Sequence, residues 1–223
     1  MGPLVQGFSK SLAMTVLSEI GDNTFFAAAI LAMRHPRRLV LSGCMCSLIV
    51  MTIFSAIVGW AAPNVVSRKW THHITTLLFF VFGLLSFKDA IFEEEEDELA
   101  EVEEKLNADN KANSGATKDN KVDVDLKRNK QPFFNPIFLK AFSITFFGEW
   151  GDRSQLATIG LAADENAIGV VLGGILGQAL CTAAAVVGGK SLASRISEKM
   201  VALSSGILFI IFGTQSFLSP IES

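Results

Sequence analysis

Glu19-Ile20-Gly21-Asp22-Asn23-Thr24 returns as Glu149-Trp150-Gly151-Asp152-Arg153-Ser154, and each copy sits inside an apolar stretch. A carboxylate at the centre of a membrane helix is costly, so such residues face a bundle interior or a water-filled path and mark function. Two matching acidic sites point to a cation transporter.

The copies are 130 residues apart, and this register holds without a gap from Phe8/Phe138 to Phe87/Phe217. Lys10/Lys140, Thr15/Thr145, Leu31/Leu161, Gly43/Gly173, Thr52/Thr182, Gly59/Gly189, Phe82/Phe212 and Gly83/Gly213 are identical, among about 20 identities in about 80 paired positions. The chain is an internal duplication.

Half of the residues are hydrophobic, the mean hydropathy is +0.41, and charge is gathered between long apolar segments. A helix needs roughly 20 apolar residues to cross the hydrocarbon core. Six candidate spans follow, at about 8–33, 39–61, 74–91, 136–163, 167–189 and 200–219. Backbone polar groups must be paired in lipid, and the period-two alternation of a barrel is absent, so the expected fold class is all-α. Three spans per copy force the second copy to enter the membrane from the opposite side. The expectation is therefore a polytopic membrane protein with six transmembrane helices as two inverted three-helix repeats, residues 1–92 and 136–223. Residues 93–135, which open on Glu93-Glu94-Glu95-Glu96-Asp97-Glu98, read as a solvated, mostly disordered linker that can be helical at its acidic start.

Basic residues set the orientation. Arg34, Arg37 and Arg38 follow span 1, Lys190, Arg195 and Lys199 follow span 5, and lysines populate the linker, so these loops share the cytosolic side. Both termini are then luminal, with Trp60 and Trp70 in an aromatic belt on that side. No basic n-region and small-residue cleavage site precede span 1, so it is expected to be retained. His72 and His73 read as interfacial surface residues. Cys44, Cys46 and Cys181 read as core packing without a disulfide framework. The net charge of −3 averages the neutral core with the linker, and no nucleic-acid footprint is present.

Glu19, Asp22, Glu149 and Asp152 offer hard anionic oxygens at three-residue spacing, which places each pair on one face of its helix. Thr24 and Ser154, with Thr15, Thr145, Ser18 and Gln155, add neutral oxygens. Such a set suits Ca²⁺, Mg²⁺ or Mn²⁺ rather than the thiolate and imidazole sites of zinc and copper. Arg153 is expected to balance part of the acidic charge. Gly21 and Gly151 loosen the helix and make a functional break possible. Crowded carboxylates also take up protons, and metal and proton then compete for the same oxygens, which is the basis of antiport. Gly169, Gly173, Gly174 and Gly177 form a small-residue packing seam on span 5, where Gln178 is an additional inward-facing candidate. No enzymatic nucleophile or resident cofactor is indicated. A cation channel or a small-metabolite exporter of similar architecture are the alternative readings; in the latter Arg153 would bind an anionic group.

The two motifs resemble the paired E-x-G-D-[KR]-[TS] signatures of the Gdt1-like family of Golgi and chloroplast cation/proton exchangers, over both copies and all but the linker. The resemblance implies exchange of Mn²⁺ and Ca²⁺ against H⁺, in eukaryotes commonly into the Golgi lumen, where manganese supports glycosylation enzymes. The family's motif residues map onto Glu19, Gly21, Asp22 and Thr24 and onto Glu149, Gly151, Asp152, Arg153 and Ser154. Asn23 departs from the family pattern, standing where its first motif has Lys; it supplies a carbonyl oxygen but no charge. Without a long transit-like N-terminus the chain is similar to a Golgi, or alternatively endoplasmic-reticulum, member rather than a plastid one.

Overall fold

The computed structural model describes residues 2–92, 102–104, 106, 135–193 and 197–219. The first expected span is two helices rather than one. Helix α1 (Pro3–Glu19) ends at the motif and α2 (Asn23–Arg34) starts after it, bent by 66°. Two long helices follow, α3 (Arg37–Val65) and α4 (Arg68–Phe92). The second copy repeats the order: α5 (Pro136–Gly148), α6 (Arg153–Asp164), α7 (Ala167–Ala193) and α8 (Glu198–Leu218). Expected spans 8–33 and 136–163 are thus corrected to broken pairs. By length and composition α3, α4, α7 and α8 can each cross a membrane, and α1 with α2 makes a fifth crossing if the bent pair is one span.

The break has a local cause. Gly21 and Gly151 hold φ of 85° and 82°, the left-handed region open to glycine, and no other described residue except Gly189 has positive φ. Asp22 and Asp152 then cap the following helices, their carboxylates accepting from Thr24 N at 3.3 Å and Ser154 N at 3.0 Å. Glu19 and Asp22 therefore lie on either side of a 66° break and not on one helical face. Glu149 and Asp152 are divided in the same way.

Each broken pair packs against the long helix of the other copy: α1 and α2 on α7, α5 and α6 on α3. Glycine makes the close approach possible. A Cβ on Gly173 would strike the Phe8 carbonyl of α1, and one on its mate Gly43 would stand 2.7 Å from the Phe138 carbonyl of α5. The glycine seam expected on span 5 is this contact. Helices α4 and α8 pair through Phe79, Phe82, Phe209 and Phe212; the Phe79/Phe212 and Phe82/Phe209 contacts are related by the 130-residue shift. Large apolar side chains such as Val50, Ile53, Phe54 and Ile57 on α3 and Leu77 and Leu84 on α4 remain exposed, the surface a lipid-facing helix needs. Trp60 and Trp70 are exposed as well.

His72 is not a free surface residue. Its ring lies 3.3 Å from Asp164 Oδ1 and 3.0 Å from the Ser216 carbonyl, tying α4 to α6 and α8. Beside it Lys10 bonds Glu165 at 2.5 Å, joining α1 to the α6–α7 turn. Most of the expected linker lies outside the described residues. Residues 102–104 and 106 within it are helical, with Val102 and Leu106 buried against the α2 cluster and Glu103 on Arg34 at 2.7 Å. Two apolar side chains at i and i+4 give this stretch one face to bury.

Candidate functional site

The two helix breaks meet. Thr24 Oγ1 of the first motif donates to Glu149 Oε1 at 2.5 Å, and Ser154 Oγ of the second donates to Glu19 Oε1 at 2.9 Å. These bonds are mates under the 130-residue shift, so each motif's hydroxyl anchors the other motif's glutamate. Glu19 and Glu149 are 5% and 3% exposed, deep in the bundle. Asp22 and Asp152 stand closer to the surface.

The half-helices add backbone oxygens and dipoles. Helices α1 and α5 end at the site with carbonyls that no longer have a partner four residues on, and such ends coordinate cations in broken-helix transporters. Among the described residues no three His, Cys, Asp or Glu side chains converge closely enough to hold an ion by themselves. An ion bound here would need neutral oxygens as well.

Two small cavities flank the glutamates. One is lined by Glu19, Thr24, Phe25, Ala28, Cys44, Leu48, Thr145, Cys181 and Thr182. The other is lined by Glu19 and Glu149 together with Thr15, Leu48, Met51, Thr52, Ser55, Ser154, Gln155, Thr158 and Gln178. Gln178 does face inward: it is 8% exposed and its Oε1 accepts from Thr52 Oγ1 at 2.8 Å. Gln155 accepts from Gly151 N at 2.7 Å and so also braces the turn. Ser18 donates to its own helix, at Met14 O.

The remaining sequence candidates fall outside the buried centre. Asn23 is exposed at the first position of α2. Arg153 reaches Asp89 of α4 at 2.6 Å and Ser86 Oγ at 3.4 Å, so its guanidinium balances Asp89 instead of the four motif acids. Asp89 was missed from the sequence, although a lone carboxylate near the end of an apolar span is a signal of the same kind as the motifs. Thr52 and Ser55 gave no such signal, because hydroxyls are common on helices and only packing shows which face inward.

A model of the family described as "Divalent cation/proton antiporter GDT1" matches residues 7–94 and 137–223, the two copies without the segment between them. The chain belongs to the GDT1 family. It is 68% identical over 228 residues to GDT1-like protein 5 of Arabidopsis thaliana, covering all of both chains. Identity to GDT1-like protein 5 of Oryza sativa subsp. japonica is 67% over 225 residues, covering 98% of this chain and 97% of that one. Against GDT1-like protein 3 of Oryza sativa subsp. indica it is 45% over 225 residues, with 99% and 77% covered. No solved structure matches. GDT1 membership makes the chain a divalent cation/proton antiporter of the membrane, from a family of transporters and not of enzymes.

Proposed function

We propose that the protein exchanges cytosolic Mn²⁺, Ca²⁺ or both for luminal protons in the secretory pathway, at the Golgi membrane first and the endoplasmic reticulum as the alternative. The observation that carries this reading is the reciprocal bonding of Thr24 to Glu149 and Ser154 to Glu19 where two broken helices meet. Glu19, Asp22, Glu149 and Asp152 supply the ion's hard anionic oxygens, no three of them at once in the conformation described, with neutral oxygens completing the set and Thr24 and Ser154 holding the two glutamates in place. Gly21 and Gly151 supply the hinges, and Asn23 and Arg153 flank them. In the lipid bilayer the chain makes six crossings, α1–α2 and α5–α6 each counting as one. Residues 1–92 and 136–223 are then inverted three-helix units, the segment 93–135 is cytosolic, and both termini are luminal.

Transport follows from competition for the same oxygens. Metal binds the deprotonated acids from the cytosol, the two units rock, and the acidic lumen protonates the carboxylates and releases the ion. Protons return to the cytosol with the empty site. The test is purified protein in liposomes under an imposed pH gradient, with Mn²⁺ and Ca²⁺ uptake and proton movement recorded together. Coupled fluxes support the exchanger. Metal flux with no proton movement would indicate a channel, and no metal flux from folded protein would reject cation transport.

A further inference from the structure

The two cavities beside the glutamates are mates, and they differ in one direction. Shifted by 130 residues, Thr24, Phe25, Ala28, Leu48, Thr145, Cys181 and Thr182 of the first become Ser154, Gln155, Thr158, Gln178, Thr15, Met51 and Thr52 of the second. The hydroxyls at three of these positions are kept. At three others an apolar side chain gives way to an oxygen-bearing one: Phe25 to Gln155, Ala28 to Thr158 and Leu48 to Gln178. The first cavity sets Glu19 and three threonine hydroxyls among phenyl, methyl and thiol groups; the second keeps Leu48 and Met51 but has two glutamates and four more neutral oxygen-bearing side chains than the first, and is the oxygen pocket of the two.

Ser55 is the independent sign that the oxygen pocket takes a ligand. It is 1% exposed, it lines this cavity, and its hydroxyl has no hydrogen-bond partner. Leaving a buried hydroxyl unpaired costs stability unless something else satisfies it. Its mate is Ala185, with no oxygen to satisfy. Each cavity is about 10 Å³, room for about one water-sized occupant. A divalent cation entering so small a space sheds most of its water and needs roughly six or more oxygens in exchange. Glu19, Glu149, Thr15, Thr52, Ser55, Gln178 and their neighbours offer that number, whereas Glu19 with Thr24, Thr145 and Thr182 does not.

We infer that the transported divalent cation is held off-centre, in the Glu149–Gln178 cavity, with Thr52, Ser55 and Gln178 among its ligands. This rests on the cation-exchange reading above and adds that the duplicated halves of the site are unequal. The hydroxyl–amide pair Thr52–Gln178 presents oxygen lone pairs from α3 and α7 at once, so binding there bridges the two copies. The phenyl-lined mate takes no dehydrated cation.

The test compares the same chemical change at mated positions. Full-length protein and its Ser55→Ala, Thr52→Val and Thr182→Val variants are titrated with MnCl₂ or CaCl₂ in detergent at fixed pH, with metal-induced thermal stabilisation as readout. Proton-coupled uptake by the same proteins in liposomes is followed in parallel. Ser55→Ala should melt at or above the wild-type temperature without metal, because no bond is lost. It and Thr52→Val should need about tenfold to a hundredfold more metal for half-maximal stabilisation, with KM shifted likewise, while Thr182→Val stays at the wild-type value. Equal weakening by Thr52→Val and Thr182→Val, or an unchanged metal requirement in Ser55→Ala, overturns the off-centre site and leaves exchange standing. Should Ser55→Ala fold poorly, the Thr52/Thr182 pair decides alone. Wild-type protein that neither binds nor exchanges either metal removes the transport reading and this inference with it.

Discussion

At the scale of single residues the site depends on two glycines and two aspartates that each have a backbone duty. A side chain at a left-handed position costs about 1–2 kcal/mol, and an added methyl on Gly151 meets no atom within 4 Å. Gly151→Ala should therefore lose about that much stability from backbone conformation alone, measurable by chemical or thermal unfolding in detergent; a neutral result would mean that the turn is not maintained. Asp22 and Asp152 cap their helices and also carry charge, and the two duties can be separated. Asparagine caps as well as aspartate does. Asp152→Asn should keep the melting temperature close to wild type while abolishing metal–proton exchange, whereas Asp152→Ala should lose a further ~1 kcal/mol for the missing cap. Vigorous exchange by folded Asp152→Asn would remove this carboxylate from the site.

At the scale of elements the broken helices are held by close backbone packing and by ion pairs, Arg153–Asp89 among them. Gly169 and Gly173 of α7 leave no room for a methyl against the Leu4 and Phe8 carbonyls of α1. Since backbone cannot step aside as a flexible side chain does, Gly173→Ala should separate α1 from α7 at a cost of about 1–3 kcal/mol, read as a lower melting temperature and, because α1 carries Glu19, as weaker metal binding. Arg153 and Asp89 fasten the start of α6 to α4. Arg153→Gln and Asp89→Asn should be non-additive in a double-mutant cycle, with a coupling of about 1 kcal/mol. Simple additivity would show that the pair does not hold the hinge.

At the scale of the molecule, each copy's broken helix packs on the other copy's long helix, so neither can bury its acids alone. Ser67 and Ser197 are mates that precede α4 and α8, and both are exposed. In inverted units they belong on opposite sides of the membrane. Ser67→Cys and Ser197→Cys, each in a background without Cys44, Cys46 and Cys181, should react with an impermeant maleimide from opposite faces of sealed vesicles. Labelling of both from one face would reject inversion.

Much of this was legible before any coordinates, and for a physical reason. Duplication, apolar length and carboxylates inside apolar stretches are properties of the chain itself, because the membrane penalises each of them residue by residue. From these alone came the all-helical class, the two related halves and the acids Glu19, Asp22, Glu149 and Asp152. Tertiary structure decided what depends on partners distant in the chain. A glycine in an apolar run is compatible with a continuous helix, and the breaks at Gly21 and Gly151 became definite only through left-handed backbone and capping aspartates. Arg153 has acids beside it in sequence, yet it pairs with Asp89 from another helix. Phe25 and Gln155 are equivalent on the duplication, and only packing turns that difference into two related cavities of which the second is the richer in oxygens.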